Sequence, residues 1–310
     1  DENGEEKYYA LLMALIGSII GLGCAQDLFN LWLRWELMAV SSFFLVVFYN
    51  EQPASLEAGF KYLVQSALGS TLVLFGIAIL FGITGTVGLW NIWATVSNHS
   101  PLVYVAGGLI LVGFGIKASL FPLHVWLPKA YTAAPMPATI ILSAVLAKTG
   151  VFGIILTLHY LLDGEPILAY AILILGMLTI LVGGVLAMYQ RNVKRILAYS
   201  SMSQMGYILL GIALIEILGS HGGLAVYGTL FHIVNHGIVK TLLFIGAGVI
   251  YIALHELSIN VIYGFGRVKH FLKALFLFGA LAVAGLPGLN GYASKTMIHE
   301  ALLEAAHEFP

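Results

Sequence analysis

Six ionisable side chains lie inside long apolar runs: Arg34, Glu36, Lys117, Lys148, Lys240 and Lys295. His124, His159, His232 and His236 lie in such runs as well. A charge at the centre of a membrane helix costs roughly 2.5–3.5 kcal/mol on insertion scales, so six unpaired ones would cost about 20 kcal/mol. They must therefore be paired, hydrated or neutral. A lysine titrating near 10.4 in water needs about 4–5 kcal/mol of bias to exchange protons at neutrality. A carboxylate about 4 Å away, at an effective dielectric near 20, supplies about 4 kcal/mol. An ion pair that opens and closes is thus the right size to load and unload a proton. These residue types point to an ion path. Arg34, about a turn and a half into its run, and His159 can equally be side chains snorkelling from a span end.

Spacing sharpens the reading. In FHIVNHGIVKTLL, His232, His236 and Lys240 recur at i, i+4 and i+8, which stacks them on one helix face, with Asn235 adjacent but off it. A polar stripe through an apolar helix suggests a hydrated proton wire, since histidine titrates near neutrality. Helix-packing hydrogen bonds and metal or haem ligation are the competing readings, although no HExxH-type base or third ligand is visible nearby.

The stretch from Gly113 to Gly153, GFGIKASLFPLHVWLPKAYTAAPMPATIILSAVLAKTGVFG, carries Lys117 mid-span, beside Gly113, Gly115 and Ser119. It breaks at Pro122 and continues in a short second piece with His124. It then turns at Pro128, Pro135 and Pro137, and carries Lys148 three turns into a new run. Prolines are tolerated at membrane depth where freed backbone groups face protein or a wet cavity. Broken spans are also where transporters build ion sites.

The elements that must position these residues follow from composition. The 310 residues are 60% hydrophobic and 9% charged, with a mean hydropathy of +0.95. Soluble domains carry about 25% charged residues, so the chain reads as an all-α polytopic membrane protein. At about 20 residues per span, it makes about nine helices, at roughly 8–25, 28–49, 58–83, 101–131 (broken), 137–161, 166–189, 195–217, 224–254 and 271–308 (broken). Run length and the lack of period-2 alternation exclude barrel strands. The connections Asn50–Pro53, Gly85–Pro101, Asp163–Pro166 and Gly219–Gly223 read as short and turn-like.

A net charge of −1 gives no reason to expect nucleic acid. The single Cys24 excludes a self-contained iron–sulfur site, a cysteine zinc site or an internal disulfide. No cofactor and no metal are expected. DENGEEK is acidic and no cleavable signal pattern follows it.

Lys7, Lys61, Lys129, Arg191, Lys194, Arg195, Arg267, Lys269 and Lys273 all fall on one side of these spans. The opposite connections carry Asp27, Asp163, Glu165 and Glu216. The positive-inside rule makes the first side cytoplasmic, and with it the N-terminus as given. The fourth and ninth spans are both broken, the ninth at GLPGLNGYASK (Gly285–Lys295), and they stand five places apart in the span order. Opposite direction and matching breaks predict inverted-topology repeats, with five spans over residues 1–163 and four over 164–310. In RNVKRILAYSSMSQMG the basic cluster reads as a topology anchor. Ser200, Ser201, Ser203 and Gln204 read as water-holding or packing groups. Trp90, Trp93 and Trp126 fit interfacial belts.

The strings WELM around Glu36, KASLFPLHVWLPKAY, APMPAT, AKTGVF, RILAYSSMSQMGY and HIVNHGIVKTLLF resemble one family closely, over nearly the whole chain. It is the antiporter-like membrane subunits of respiratory complex I, membrane-bound hydrogenases and Mrp-type sodium/proton antiporters. In that family these strings belong to helices four to twelve of about fourteen, so the chain is expected to be part of a longer subunit. The resemblance implies that Glu36 is the carboxylate pairing with Lys117, and that Lys148 is the central-axis lysine receiving the proton. It implies that His232, His236 and Lys240 form the axis of the second half, and that Lys295 is the ionisable residue on the second broken helix. The His-rich eighth span leans toward the hydrogenase and Mrp branches.

The function implied is that of a proton-translocating subunit of a redox-driven respiratory complex, of the NADH:quinone oxidoreductase or hydrogenase type. Its partners would be other membrane subunits, in an energy-transducing membrane such as the inner membrane. A subunit of a sodium/proton antiporter is the alternative, and a histidine-ligated cytochrome-like subunit is a third reading.

Overall fold

The computed structural model describes residues 4–96, 100–162 and 166–308. Asp163 and Glu165 lie outside the described residues. The apolar runs appear as helices whose ends differ from the sequence reading by a few residues. They are α1 (Glu5–Gly23), α2 (Leu28–Val46), α3 (Pro53–Thr84), α5 (Pro101–Lys117), α8 (Ala147–Leu161), α9 (Pro166–Met188), α10 (Val193–Leu218), α11 (Gly223–Leu254) and α14 (His270–Ala284). Shorter pieces complete the interrupted spans: α6 (Trp126–Ala133) after α5, α7 (Met136–Ile141) before α8, and α15 (Asn290–Glu308) after α14. Among the described residues, six stretches are long and apolar enough to cross a membrane: Glu5–Gly23, Pro53–Thr84, Met136–Leu161, Ile167–Met188, Val193–His221 and Gly223–Leu254. Pro101–Lys117 and His270–Ala284 are apolar but shorter, each being the first piece of a broken span. The chain is an all-α, multi-pass membrane protein.

Several local expectations change. The connection from Gly85 to Pro101 is not a simple turn. It holds α4 (Leu89–Thr95), whose Leu89 and Ile92 are buried at the i, i+3 spacing of one helix face. Two further short helices, α12 (Ile259–Ile262) and α13 (Phe265–Val268), follow α11. α5 stops at Lys117 itself, ahead of Pro122, with Ser119 in the left-handed region at φ 59°. Lys117 is therefore a helix-terminal residue and not a mid-helix one. His124 lies in the turns that precede α6 rather than on a helical piece. Leu142–Leu146, between α7 and α8, winds as a π-helix. Trp126 is 1% exposed, packed edge-on to Tyr131 at the start of α6, so it is a core residue and not part of a belt. Trp90 and Trp93 are exposed.

Internal contacts divide the chain into two compact units. The first comprises Asp1–Ser119, Ala133–Ala138 and Leu146–Gly164. Apolar burial does not drive helices together in lipid, so close packing of small residues must. A Cβ on Gly113 of α5 would lie 2.5 Å from the Gly69 carbonyl oxygen of α3, and one on Gly76 would lie 2.7 Å from that of Ala106. α8 closes on the end of α5 in the same way: a Cβ on Gly150 would lie 2.5 Å from the Ala118 nitrogen. One end of the unit is tied by a β-bridge between Asp27 and Gly88, and the Asp27 carboxylate caps α2 by accepting from Asn30 N at 2.7 Å.

The second unit comprises Leu120–Thr132, Thr139–Val145 and Glu165–Pro310. α10 is its buried column, with Ala198, Met202, Ile208, Ala213 and Leu214 at no more than 1% exposure. α9 approaches it through Gly206, where a Cβ would lie 2.7 Å from the Gly176 carbonyl. α11 and α15 pack on it through Leu214, Leu218, Ala225, Ile298 and Ala301. Here too a bridge, Asn192 to Ser258, ties one end, and Asn192 caps α10 by accepting from Arg195 N at 3.3 Å.

Candidate functional site

In the first unit α3 packs against both α2 and α5 and connects their ionisable residues. Glu36, half-buried on α2, accepts a hydrogen bond from Ser70 of α3, and Ser70 accepts from the Trp32 indole at 2.8 Å. Lys117 is 2% exposed and donates to the Tyr62 hydroxyl, two turns earlier on α3, at 2.6 Å. Tyr62 in turn shares a hydrogen bond with the Ser42 hydroxyl at 2.5 Å. Thus α3 gives each member of the suspected pair a hydroxyl partner. Being the last residue of α5, Lys117 sits where the helix carbonyls carry partial negative charge, which favours a cation.

Lys148 is the second residue of α8, directly after the π-helical turn. Such turns shift the register of a helix and are frequent at functional sites. Arg34 and His159 stand apart: both are exposed, Arg34 over Gly21 of α1 and His159 edge-on to Tyr160.

In the second unit His232, His236 and Lys240 are 2%, 4% and 0% exposed, so the polar stripe of α11 faces protein. Lys240 donates to the Leu197 carbonyl of α10 at 2.9 Å and to the Ser200 hydroxyl. The neighbouring Ser201 hydroxyl lies 3.1 Å from that of Ser143, inside the π-helical turn. His232 Nδ1 lies 2.9 Å from the Ser294 hydroxyl of α15. Asn235 belongs to the buried group although the spacing set it off the stripe: it donates to the Asn290 carbonyl at 3.0 Å and accepts from the Asn290 amide at 3.1 Å.

Lys295 turns back from α15 to the end of α14, donating to the Val283 carbonyl at 2.7 Å and the Ala284 carbonyl at 3.4 Å. Gln204, His232, Asn235, His236 and Val283 line a cavity of ≈ 10 Å³, the space of about one water. Elsewhere in this unit, Thr179 of α9 accepts the Phe121 N–H at 3.1 Å, a donor freed by the break after α5. His124 stacks on Phe121 with ring centroids 5.8 Å apart. Lys194, 6% exposed, points to the Thr132 carbonyl at 3.5 Å.

Lys117 and Lys240 are thus anchored on hydroxyls, and Lys295 on carbonyls at the end of α14. Residues 25–309 match the family described as NADH:quinone oxidoreductase/Mrp antiporter, TM. The chain belongs to this family. It is 36% identical over 295 residues to NAD(P)H-quinone oxidoreductase chain 4-2 of Synechocystis sp., covering 94% of this chain and 51% of that protein. It is 31% identical over 304 residues to NADH-quinone oxidoreductase subunit N of Desulforudis audaxviator, covering 96% and 59%. Among solved structures it resembles a chain of the membrane-bound sulfane sulfur reductase, an archaeal respiratory membrane complex. The TM-score is 0.89 at 34% identity, with 95% of this chain and 60% of that one covered. A chain of the Mrp complex from Dietzia sp. matches with a TM-score of 0.83 at 26% identity, covering 96% and 55%. The chain spans about half the length of the curated relatives it matches.

Proposed function

We propose that this chain is part of a proton-translocating, antiporter-like subunit of a redox-driven respiratory complex, of the NADH:quinone oxidoreductase or hydrogenase type. Protons pass along Glu36, Lys117 and Lys148 in the first repeat, residues 1–163, and His232, His236, Lys240 and Lys295 in the second, residues 164–310, the two being of inverted topology. The observation that carries this reading is the anchoring of buried lysines on neutral hydroxyls, Lys117 on Tyr62 and Lys240 on Ser200. A hydroxyl can both donate and accept, so it passes a proton without adding a fixed charge. Glu36 acts by its charge on Lys117, which holds a proton while the carboxylate is ionised and near. The π-helical turn before Lys148 and the one-water cavity beside His232 and His236 suit a path that hydrates locally. The partners are other membrane subunits, and the N-terminus as given faces the cytoplasm of an energy-transducing membrane.

Lys117→Ala in the assembled complex tests this reading. Proton translocation is expected to be lost while insertion and assembly stay near normal, because the role is ionisation and not packing. Pumping at the wild-type rate would remove its centre. The likeness to the Mrp chain favours a second reading, a sodium/proton antiporter subunit. Sodium-dependent proton movement in vesicles separates the two.

A further inference from the structure

Lys295 has a neighbour that the proposed path does not use. Its ammonium sits 4.6 Å from the centroid of the Tyr207 ring, from α10, while Val283 and Ala284 of α14 take its hydrogen bonds. Tyr207 is only partly buried, and its hydroxyl makes no hydrogen bond to a described residue. Its ring therefore makes the contact. We propose that Tyr207 is a positioning residue for Lys295: its ring face holds the protonated side chain on the α14 terminus and releases the neutral amine. The inference rests on the reading of Lys295 as a relay residue.

The physical case is a difference between two protonation states. An aromatic ring presents a negative face that attracts an ammonium and gives a neutral amine no comparable hold. The carbonyls at the end of α14 act in the same direction, because a helix C-terminus favours a cation. An ammonium has three N–H donors and can be held by two carbonyls and a ring at once. A neutral amine loses both attractions, and its flexible stem is free to turn.

It has somewhere polar to go. Val283, whose carbonyl holds the ammonium, lines the cavity shared by Gln204, His232, Asn235 and His236. Tyr207 also packs on His232, with ring centroids 5.8 Å apart, and His232 meets Ser294, the residue before Lys295. The titratable groups around the site are thus Tyr207 from α10 and His232 and His236 from α11. α14 contributes carbonyls, and His299, one turn along α15, is exposed. Tyr207 stands between the lysine and the histidine stripe, so its hold on one state of Lys295 sets when that lysine meets the cavity.

The test uses the full protein in its native complex, in vesicles, with proton transport followed across pH for Tyr207→Phe, Tyr207→Leu and Lys295→Ala. Tyr207→Phe keeps the ring and is expected to keep the wild-type profile. Tyr207→Leu removes a preference for the protonated state of roughly 2- to 30-fold, moving the alkaline limb of the profile to lower pH by about 0.4 to 1.5 units. A wild-type profile for Tyr207→Leu, with Lys295→Ala impaired, overturns this inference and leaves the relay standing. Wild-type transport by Lys295→Ala overturns both. Where Tyr207→Leu does not assemble, 3,4,5-trifluorophenylalanine at position 207 keeps the shape and drains charge from the ring face. The same shift is expected, and an unshifted profile overturns the proposal.

Discussion

The Lys117 ammonium and the Tyr62 hydroxyl are 2.6 Å apart, joining the end of α5 to the first third of α3. The bond gives a buried lysine a partner that carries no charge and is itself tied to Ser42. Glu36 reaches the same helix through Ser70. α3 therefore holds the carboxylate and the lysine through its own hydroxyls, and its Gly69 and Gly76 bring α5 close enough for the Lys117–Tyr62 bond to form.

Tyr62→Phe removes that hydroxyl with little change of volume. A hydrogen bond to a charged group contributes about 1.5–3 kcal/mol, so proton transport is expected to fall roughly tenfold or more while assembly persists. Transport assays on the purified complex measure the first and native gel migration the second. Unchanged transport would show that Tyr62 is packing for Lys117 and no part of its path.

Gly150→Ala probes the packing that fixes the end of α5. The new methyl would meet backbone atoms, the Ala118 nitrogen at 2.5 Å and the Phe114 carbonyl at 2.7 Å, so no side-chain rotation relieves it. Overpacking costs typically about 1–3 kcal/mol. A lower thermal midpoint in detergent is expected, together with slower transport from a displaced Lys117. A midpoint equal to wild type would mean that α8 moves away without cost.

The ionisable members of the site were legible because charge in an apolar run is conspicuous. Lys117, Lys240 and the histidine pair announce themselves by type and spacing, and the breaks by Pro122 and by the glycines around Leu286. Their partners were not legible. Tyr62, Ser70, Ser200 and Tyr207 are ordinary residues in membrane helices, and only the approach of a second helix turns a hydroxyl or a ring into a ligand. The faint signal was Tyr62, Gly69, Ser70 and Gly76, small and polar residues among the buried ones of α3. Trp126 misled for the converse reason: an aromatic beside a break can be read as belt or as core, and its burial was decided by neighbours distant in sequence.

Cys24 offers a direct test of orientation. It is the single cysteine of the chain, exposed, and it follows the last turn of α1. With the N-terminus as given in the cytoplasm, one span places Cys24 on the opposite side. A membrane-impermeant maleimide should label it in right-side-out vesicles and spare it in inverted ones, with Cys24→Ser as the blank. The reverse pattern would invert the whole topology.

Glu36→Gln isolates charge from position. The Glu36 carboxylate accepts from Ser70, whose hydroxyl also accepts from Trp32 at 2.8 Å. A glutamine carbonyl can accept that same bond, so the side chain should stay where it is while its charge disappears. What is lost is the carboxylate charge, whose attraction for an ammonium falls off inversely with distance. Without it Lys117 keeps its Tyr62 hydroxyl but no longer senses movement of the carboxylate. Transport is therefore expected to slow and to depend differently on pH between about 6 and 9, while Tyr62→Phe should slow it without removing the dependence on Glu36. If Glu36→Gln matches wild type across that range, the carboxylate is a structural acceptor for Ser70, and control of Lys117 must lie elsewhere.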